Sequence, residues 1–274
     1  MTVFSRFSAA LVASIAMIGG VQAAQPTDKA LGFQTAATPI MEQISAFHSD
    51  ILLPIIIAIS LFVLALLIWV VARYNRRANP EPSRTTHNVA IEIVWTVVPI
   101  VLLLIIAAPS FAIIDKEDNI PEADVTVKAI GHQWYWEYEY PDYEGIAFDS
   151  IMLTDEEAAA QGKPRLLATD THVVVPADTI VKVLITSVDV NHAWAMPAFG
   201  VKRDAIPGRI NETWFKVKEP GLYYGQCSEL CGIKHGFMPI TVEVVSKADF
   251  EAWVKEAQAE YASADAATQI GVGR

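Results

Sequence analysis

The sequence predicts a membrane-anchored all-β protein, in which a two-helix transmembrane hairpin is followed by a Greek-key β-sandwich. Three observations predict it. Ile51 to Ala72 and Ile93 to Ile114 each run without a charge. At about 1.5 Å per residue each reaches about 33 Å, enough to cross a hydrocarbon core of about 30 Å. From Asp115 onward the chain turns polar, and it reads as short strands punctuated by Pro and Gly turns. No long helices are interleaved, which argues for a sandwich or barrel over a βαβ domain.

Ahead of the hairpin, residues 1–23 have the pattern of a cleaved secretory signal: a basic Arg6, an apolar run from Phe7 to Val21, and small residues at the expected cleavage site after Ala23. An uncleaved short anchor is the competing reading. Residues 24–48 then form a segment on the exported side. The hairpin occupies residues 49–114, with its link at residues 73–88 carrying Arg73, Arg76, Arg77 and Arg84 against Glu81. The positive-inside rule puts that link in the cytoplasm. Pro54, Pro99 and Pro109 fall in or near the helices, where lost hydrogen bonds need neighbouring groups to cover them. A bare hairpin offers few, so it is expected to dock against a larger membrane partner. Glu92, at the start of the second helix, has two readings: a first-turn acid favoured by the helix dipole, or a proton entrance at the partner interface.

The exported domain, residues 115–260, is followed by a tail at 261–274 that is expected to be disordered. From Asp115 to the end there are 26 acidic and 14 basic residues, a net charge of −12, while the chain before Asp115 sums to +1. Nucleic acid is excluded as a natural partner, because binding phosphates needs the opposite sign. A basic soluble protein fits better, since complementary fields speed encounter. Val125, Val127 and Ala129 alternate as in a strand. In Trp134 to Tyr140 the even positions are all aromatic, the period of a half-buried strand. Further strands are expected at His172–Val175, Thr179–Ser187, Ile210–Val217, Leu222–Gly225 and Ile240–Val245. A closing helix is expected from Ser246 as N-cap, with Phe250, Trp253, Val254 and Ala257 as its apolar stripe.

The stretch Cys227-Ser-Glu-Leu-Cys231-Gly-Ile-Lys-His235-Gly-Phe-Met238 carries the chemistry. It concentrates two thiols, an imidazole and a thioether, the soft and borderline ligands that select copper. His192 follows the strand ending at Ser187, so its loop and the cysteine loop would meet at one end of the sandwich and supply a second imidazole. Two thiolates, two imidazoles and a thioether are too many for one trigonal copper and suit two coppers bridged by both sulfurs. Such a site relays electrons with little change of geometry. The bland alternative is a Cys227–Cys231 disulfide, which explains neither His235 and Met238 nor the loop glycines. Zinc rarely uses methionine. A membrane-anchored copper chaperone or a mononuclear blue-copper carrier are the rival functions. The upstream His192 with added Met238 argues against the first, and Cys231 against the second.

That loop, the upstream Asp189-Val-Asn-His-Ala-Trp194, the run Gly131-His-Gln-Trp-Tyr-Trp-Glu-Tyr-Glu-Tyr140, the segment Lys202 to Arg209 and the helix start Ile91-Glu-Ile-Val-Trp95 together resemble cytochrome c oxidase subunit II, over about Phe47 to Trp253. The resemblance implies a cupredoxin-like sandwich with a dinuclear copper A centre. His192, Cys227, Cys231, His235 and Met238 would ligate through side chains and Glu229 through its backbone carbonyl. It further implies a magnesium or manganese ion shared with subunit I through Glu229, Trp134 as the residue admitting electrons from cytochrome c, Glu139 and Asp189 as docking acids, and Glu92 as the entrance to a proton channel. Subunit I with its haems and second copper site, subunit III and membrane lipid are the implied partners. The implied location is a bacterial inner membrane, with the N-terminus and copper domain in the periplasm. No Cys-x-x-Cys-His is present, so no covalently held haem is expected on this chain. Alone it should not reduce oxygen.

Overall fold

The computed structural model describes residues 24–27 and 29–271. The signal-peptide reading of residues 1–23 lies outside them. The first spanning helix is one rod, Pro39–Arg73. Thr38 starts it, its hydroxyl accepting from the Met41 amide at 3.1 Å, with Pro39 in the first turn. Residues Phe47–Leu52 form a π-helical turn, just ahead of Pro54. A proline ring clashes with the carbonyl four residues back, and the wider turn makes room for it. The second helix spans Val89–Asp118, capped by the Asn88 side chain accepting from the Ala90 and Ile91 amides. Leu61, Phe62, Leu103 and Leu104 are all well exposed, as suits side chains that face lipid or a partner helix rather than this chain's own core.

Both helices outrun the apolar stretches that announced them. The hydrophobic pattern marks what lies in hydrocarbon, whereas backbone hydrogen bonding continues through polar residues. The first helix therefore begins inside the segment 24–48, and the second takes in Asp115 to Asp118. These polar ends fasten the sandwich to the hairpin. The Thr38 hydroxyl donates to the Phe199 carbonyl at 2.7 Å, the Trp214 indole to the Lys116 carbonyl at 3.1 Å, and Arg203 pairs with Asp118 at 2.7 Å.

The sandwich has two five-stranded sheets. One is ordered β3 (Ala147–Ser150), β2 (Tyr135–Glu139), β1 (Val125–His132), β5 (Val181–Ser187), β8 (Asn211–Phe215). The other is ordered β4 (Val173–Pro176), β10 (Pro239–Val245), β9 (Gly221–Cys227), β6 (His192–Met196), β7 (Val201–Ala205). The β1–β5 and β4–β10 pairs are parallel and the rest antiparallel. Trp136, Tyr138, Tyr140, Trp194, Phe199 and Phe215 fill the space between the sheets. Their polar atoms are mostly matched: the Trp194 indole donates to the Tyr138 hydroxyl at 3.2 Å, and the Tyr140 hydroxyl donates to the Val174 carbonyl at 2.9 Å. Trp136, at the alternating even position, is fully buried, while Trp134 lies before β2 on the β1–β2 turn.

The closing helix is Lys247–Gly271, with the Asp249 amide donating to the Ser246 hydroxyl at 3.1 Å and Phe250, Val254 and Ala257 buried. It runs past the point where a disordered tail was expected. The Ala-rich sequence after Tyr261 has high helix propensity and no proline to stop it.

Gly225 sits where β9 passes β6. A Cβ built there would lie 2.1 Å from the Ala195 carbonyl oxygen and 2.5 Å from the Met196 sulfur. Because the first of these is backbone, Gly225→Ala should force the two strands apart. A loss of at least about 1–3 kcal/mol is expected, readable as a lowered denaturation midpoint; a variant as stable as the parent would mean that the strands separate freely here.

Candidate metal centre

Two neighbouring strands and one loop build the site. His192 is the first residue of β6, Cys227 the last of β9, and the loop from Ser228 to Met238 returns to β10. His192 is thus held by a strand and not, as the sequence suggested, by a free loop. The run His192–Met196 is buried at every position, so it lacks the alternation by which strands are recognised. The loop is closed at its base, where the Cys227 amide donates to the Met238 carbonyl at 3.3 Å and the Ser228 amide to the Ala193 carbonyl at 3.0 Å.

The donor atoms converge. Cys227 Sγ is 3.9 Å from His192 Nδ1 and 3.9 Å from Cys231 Sγ. Cys231 Sγ is 3.6 Å from His235 Nδ1 and 3.6 Å from Met238 Sδ. The Glu229 carbonyl oxygen lies 3.4 Å from Cys227 Sγ. The cysteines are free, with their sulfurs about twice a disulfide bond apart. His192, Cys227 and Cys231 are a buried group able to hold a metal ion. With His235 and Met238 beside them, the donor set is soft and imidazole-rich, which fits copper. In a metal-free chain the two thiols are unequal. Burial raises Cys227, but hydrogen bonds with His192, the Glu229 and Ala193 backbone and His235 together outweigh it and hold the thiol at about 6. Cys231 is pushed up to about 12 by burial and by the charge of Cys227. Metal loading must therefore displace a proton from Cys231.

Around these donors sits a ring of supporting groups. The carboxylate of Asp189 can only accept, so His192 Nε2 carries the proton it donates at 2.9 Å, leaving Nδ1 free to face Cys227. The same carboxylate accepts from the amides of Gln133 at 2.7 Å and Val190 at 2.6 Å. His192 also has no room behind it: a Cβ at Gly131 would come within 2.7 Å of its ring. Trp134, half-buried, donates its indole N–H to the Cys231 carbonyl at 3.3 Å.

The remaining candidates lie apart from the donors. Glu139 is paired with Lys128 at 2.9 Å. The Glu229 side chain is exposed. Glu92 reaches back to accept from the Asn88 amide at 3.2 Å, a capping contact that accounts for its place in the first turn. Sequence reasoning missed Gln133 and Gly131; both stand in the quoted Gly131-to-Tyr140 run, but only the fold brings them against the ligands.

Residues 125–245 match the family model described as cytochrome C oxidase subunit II, periplasmic domain, and residues 26–113 match the corresponding transmembrane domain. The chain is 54% identical over 232 residues to the probable cytochrome c oxidase subunit 2 of Rickettsia bellii (strain RML369-C), covering 85% of this chain and 86% of that protein. It is 45% identical over 268 residues to the cytochrome c oxidase subunit 2 of Cereibacter sphaeroides, covering 90% and 88%. A crystal structure of the periplasmic domain of subunit II of cytochrome oxidase from Bradyrhizobium japonicum is 52% identical, covering 52% of this chain and 99% of that one, with a TM-score of 0.49.

Proposed function

The chain belongs to the cytochrome c oxidase subunit II family, and from that premise we propose that it takes electrons from cytochrome c at a dinuclear copper A centre and delivers them to the haems of subunit I. The observation that carries this reading is the convergence of five side-chain donors and one carbonyl, among which Cys227 and Cys231 would hold the coppers. The bound coppers would supply one-electron chemistry through soft thiolate bonds. The rest is the work of this chain. Strands β6 and β9 hold His192 and Cys227 in a rigid frame, Asp189 fixes the His192 tautomer, and the closed base of the loop resists rearrangement. Trp134 joins the Cys231 carbonyl to the surface turn, which supports it as the point where electrons are admitted.

The acidic exported domain supports a basic donor docking on this side. Glu139 and Asp189 would contribute to that field, although Lys128 and His192 also engage them. The arginines of the link support a cytoplasmic hairpin turn and hence a periplasmic copper domain at a bacterial inner membrane. The exposed Glu229 side chain is free to reach a magnesium or manganese ion at a subunit I interface. For Glu92, a place on the rim of the hydrocarbon supports a proton entrance continuing into a partner helix. Subunit III and lipid would cover the remaining apolar helix faces.

Copper content and the electron paramagnetic resonance spectrum of the detergent-solubilised full chain test the centre. Two coppers per chain sharing one unpaired electron are expected, whereas one localised copper or none would overturn it. For docking, the rate of reduction by a basic cytochrome c should fall as ionic strength rises and the Debye length shrinks from about 30 Å at 0.01 M to about 8 Å at 0.15 M. A rate insensitive to salt would remove electrostatic steering from the account.

A further inference from the structure

We infer that Gln133 is a positioning residue for the metal centre, pinning the β1–β2 turn to both halves of the ligand set. This rests on the copper reading above. Its side-chain amide donates to the Cys231 carbonyl at 2.8 Å, and its backbone amide donates to Asp189 at 2.7 Å. Asp189 in turn holds His192 Nε2 at 2.9 Å. One residue of the turn is thereby bonded directly to the backbone of one cysteine ligand and, through a single carboxylate, to the imidazole that faces the other cysteine. The link runs across the sandwich, since Gln133 follows β1 in one sheet while His192 and Cys227 lie on β6 and β9 in the other.

The packing around the pin is close. Gly232 has φ +125°, a region that favours glycine, and a Cβ there would lie 3.0 Å from the Trp134 ring and 3.2 Å from the Gln133 amide nitrogen. The loop therefore meets the turn with its bare backbone, and the Cys231 carbonyl accepts from Gln133 and, more weakly, from Trp134 at 3.3 Å. Gln133 itself is exposed and fills no part of the core. Its removal should loosen the loop without opening a cavity. A donor on the carbonyl of a ligating residue also draws electron density away from the centre, so its loss should favour the oxidised state.

The test compares Gln133→Met, which keeps length but lacks the donor, and Gln133→Asn, which keeps the amide but falls one methylene short. Both are measured in the full chain against the parent. Copper retention is read by competition with a chelator, alongside the paramagnetic spectrum and the reduction potential. The expected result in both variants is a roughly tenfold or greater loss of copper affinity, an altered hyperfine splitting and a lowered potential, with the near-ultraviolet circular dichroism of the metal-free chain unchanged. Parent-like affinity, spectrum and potential in either variant overturn the inference, as does an affinity loss accompanied by collapse of the metal-free fold. A parent that fails to bind two coppers would instead be a failure of the copper reading itself.

Discussion

Replacing Cys231 by serine is expected to abolish the shared-electron signal and reduce copper from two per chain to one or none. Cys231 sits among three other side-chain donors: its sulfur is 3.9 Å from Cys227 and 3.6 Å from both His235 and Met238. An oxygen at that position is harder, shorter and protonated at neutral pH, so it cannot serve as a soft bridge. What is left, His192 and Cys227 with the His235 imidazole and the Met238 thioether, is at most the ligand set of a single copper. Oxidase turnover supported by such a chain should fall to the detection limit. Cys231 is buried, and a serine there costs about 1–3 kcal/mol if its hydroxyl finds no partner. The metal-free circular dichroism therefore has to be matched to the parent before the loss is read as a metal effect. Two coppers still sharing one electron in Cys231→Ser would show that Cys231 does not bridge. The milder Met238→Leu should keep both coppers, because a thioether is the weakest donor of the set.

The membrane hairpin and the cysteine loop stood out in the sequence because each carries a signal that does not depend on the fold. A charge-free run of spanning length is seldom anything but a membrane helix, and two cysteines, a histidine and a methionine within twelve residues seldom gather except to hold a metal. Strands with one wet face were legible too: β5 alternates buried and half-buried residues along its whole length. What escaped was buried on both sides or local to the tertiary contact. β6 is buried throughout and β7 is only five residues long, so neither shows a period, and the sequence alone suggests a loop at His192. The contacts of Gln133 with Cys231 span 98 positions; no local pattern foretells them. Asp189 shows a different kind of gap. The resemblance implies docking for it, and the fold adds a second engagement that no local pattern announces: its two oxygens accept hydrogen bonds from His192, Val190 and Gln133, and its side chain is 29% exposed. Charge is visible in a sequence, but how much of it remains available to a partner is decided by the fold.

Trp134→Ala should slow electron transfer from reduced cytochrome c by more than about tenfold, equivalent to at least about 1.4 kcal/mol of barrier, while changing the affinity for the donor far less. The argument starts from connectivity. Electrons tunnel better through bonded and hydrogen-bonded atoms than across gaps, and the Trp134 indole is both half-buried against the ligand loop and bonded to the Cys231 carbonyl. Its neighbour Trp136 is fully buried between the sheets and packs edge-on to His192 at 5.9 Å between ring centroids; it supports the fold and is screened from any docked protein. Alanine at 134 removes the ring and the bond together, leaving solvent between the donor and the Cys231 backbone. Transient kinetics with saturating donor isolates the transfer step, and the dependence on donor concentration reports docking, so the two effects separate as a change in maximal rate against a change in half-saturation. Trp134→Phe, which keeps the ring without the N–H, should fall between the parent and alanine. If alanine leaves the maximal rate intact and raises only the half-saturation concentration, Trp134 is a docking contact and electrons are admitted elsewhere on the loop, where the exposed Leu230 and Ile233 flank Cys231.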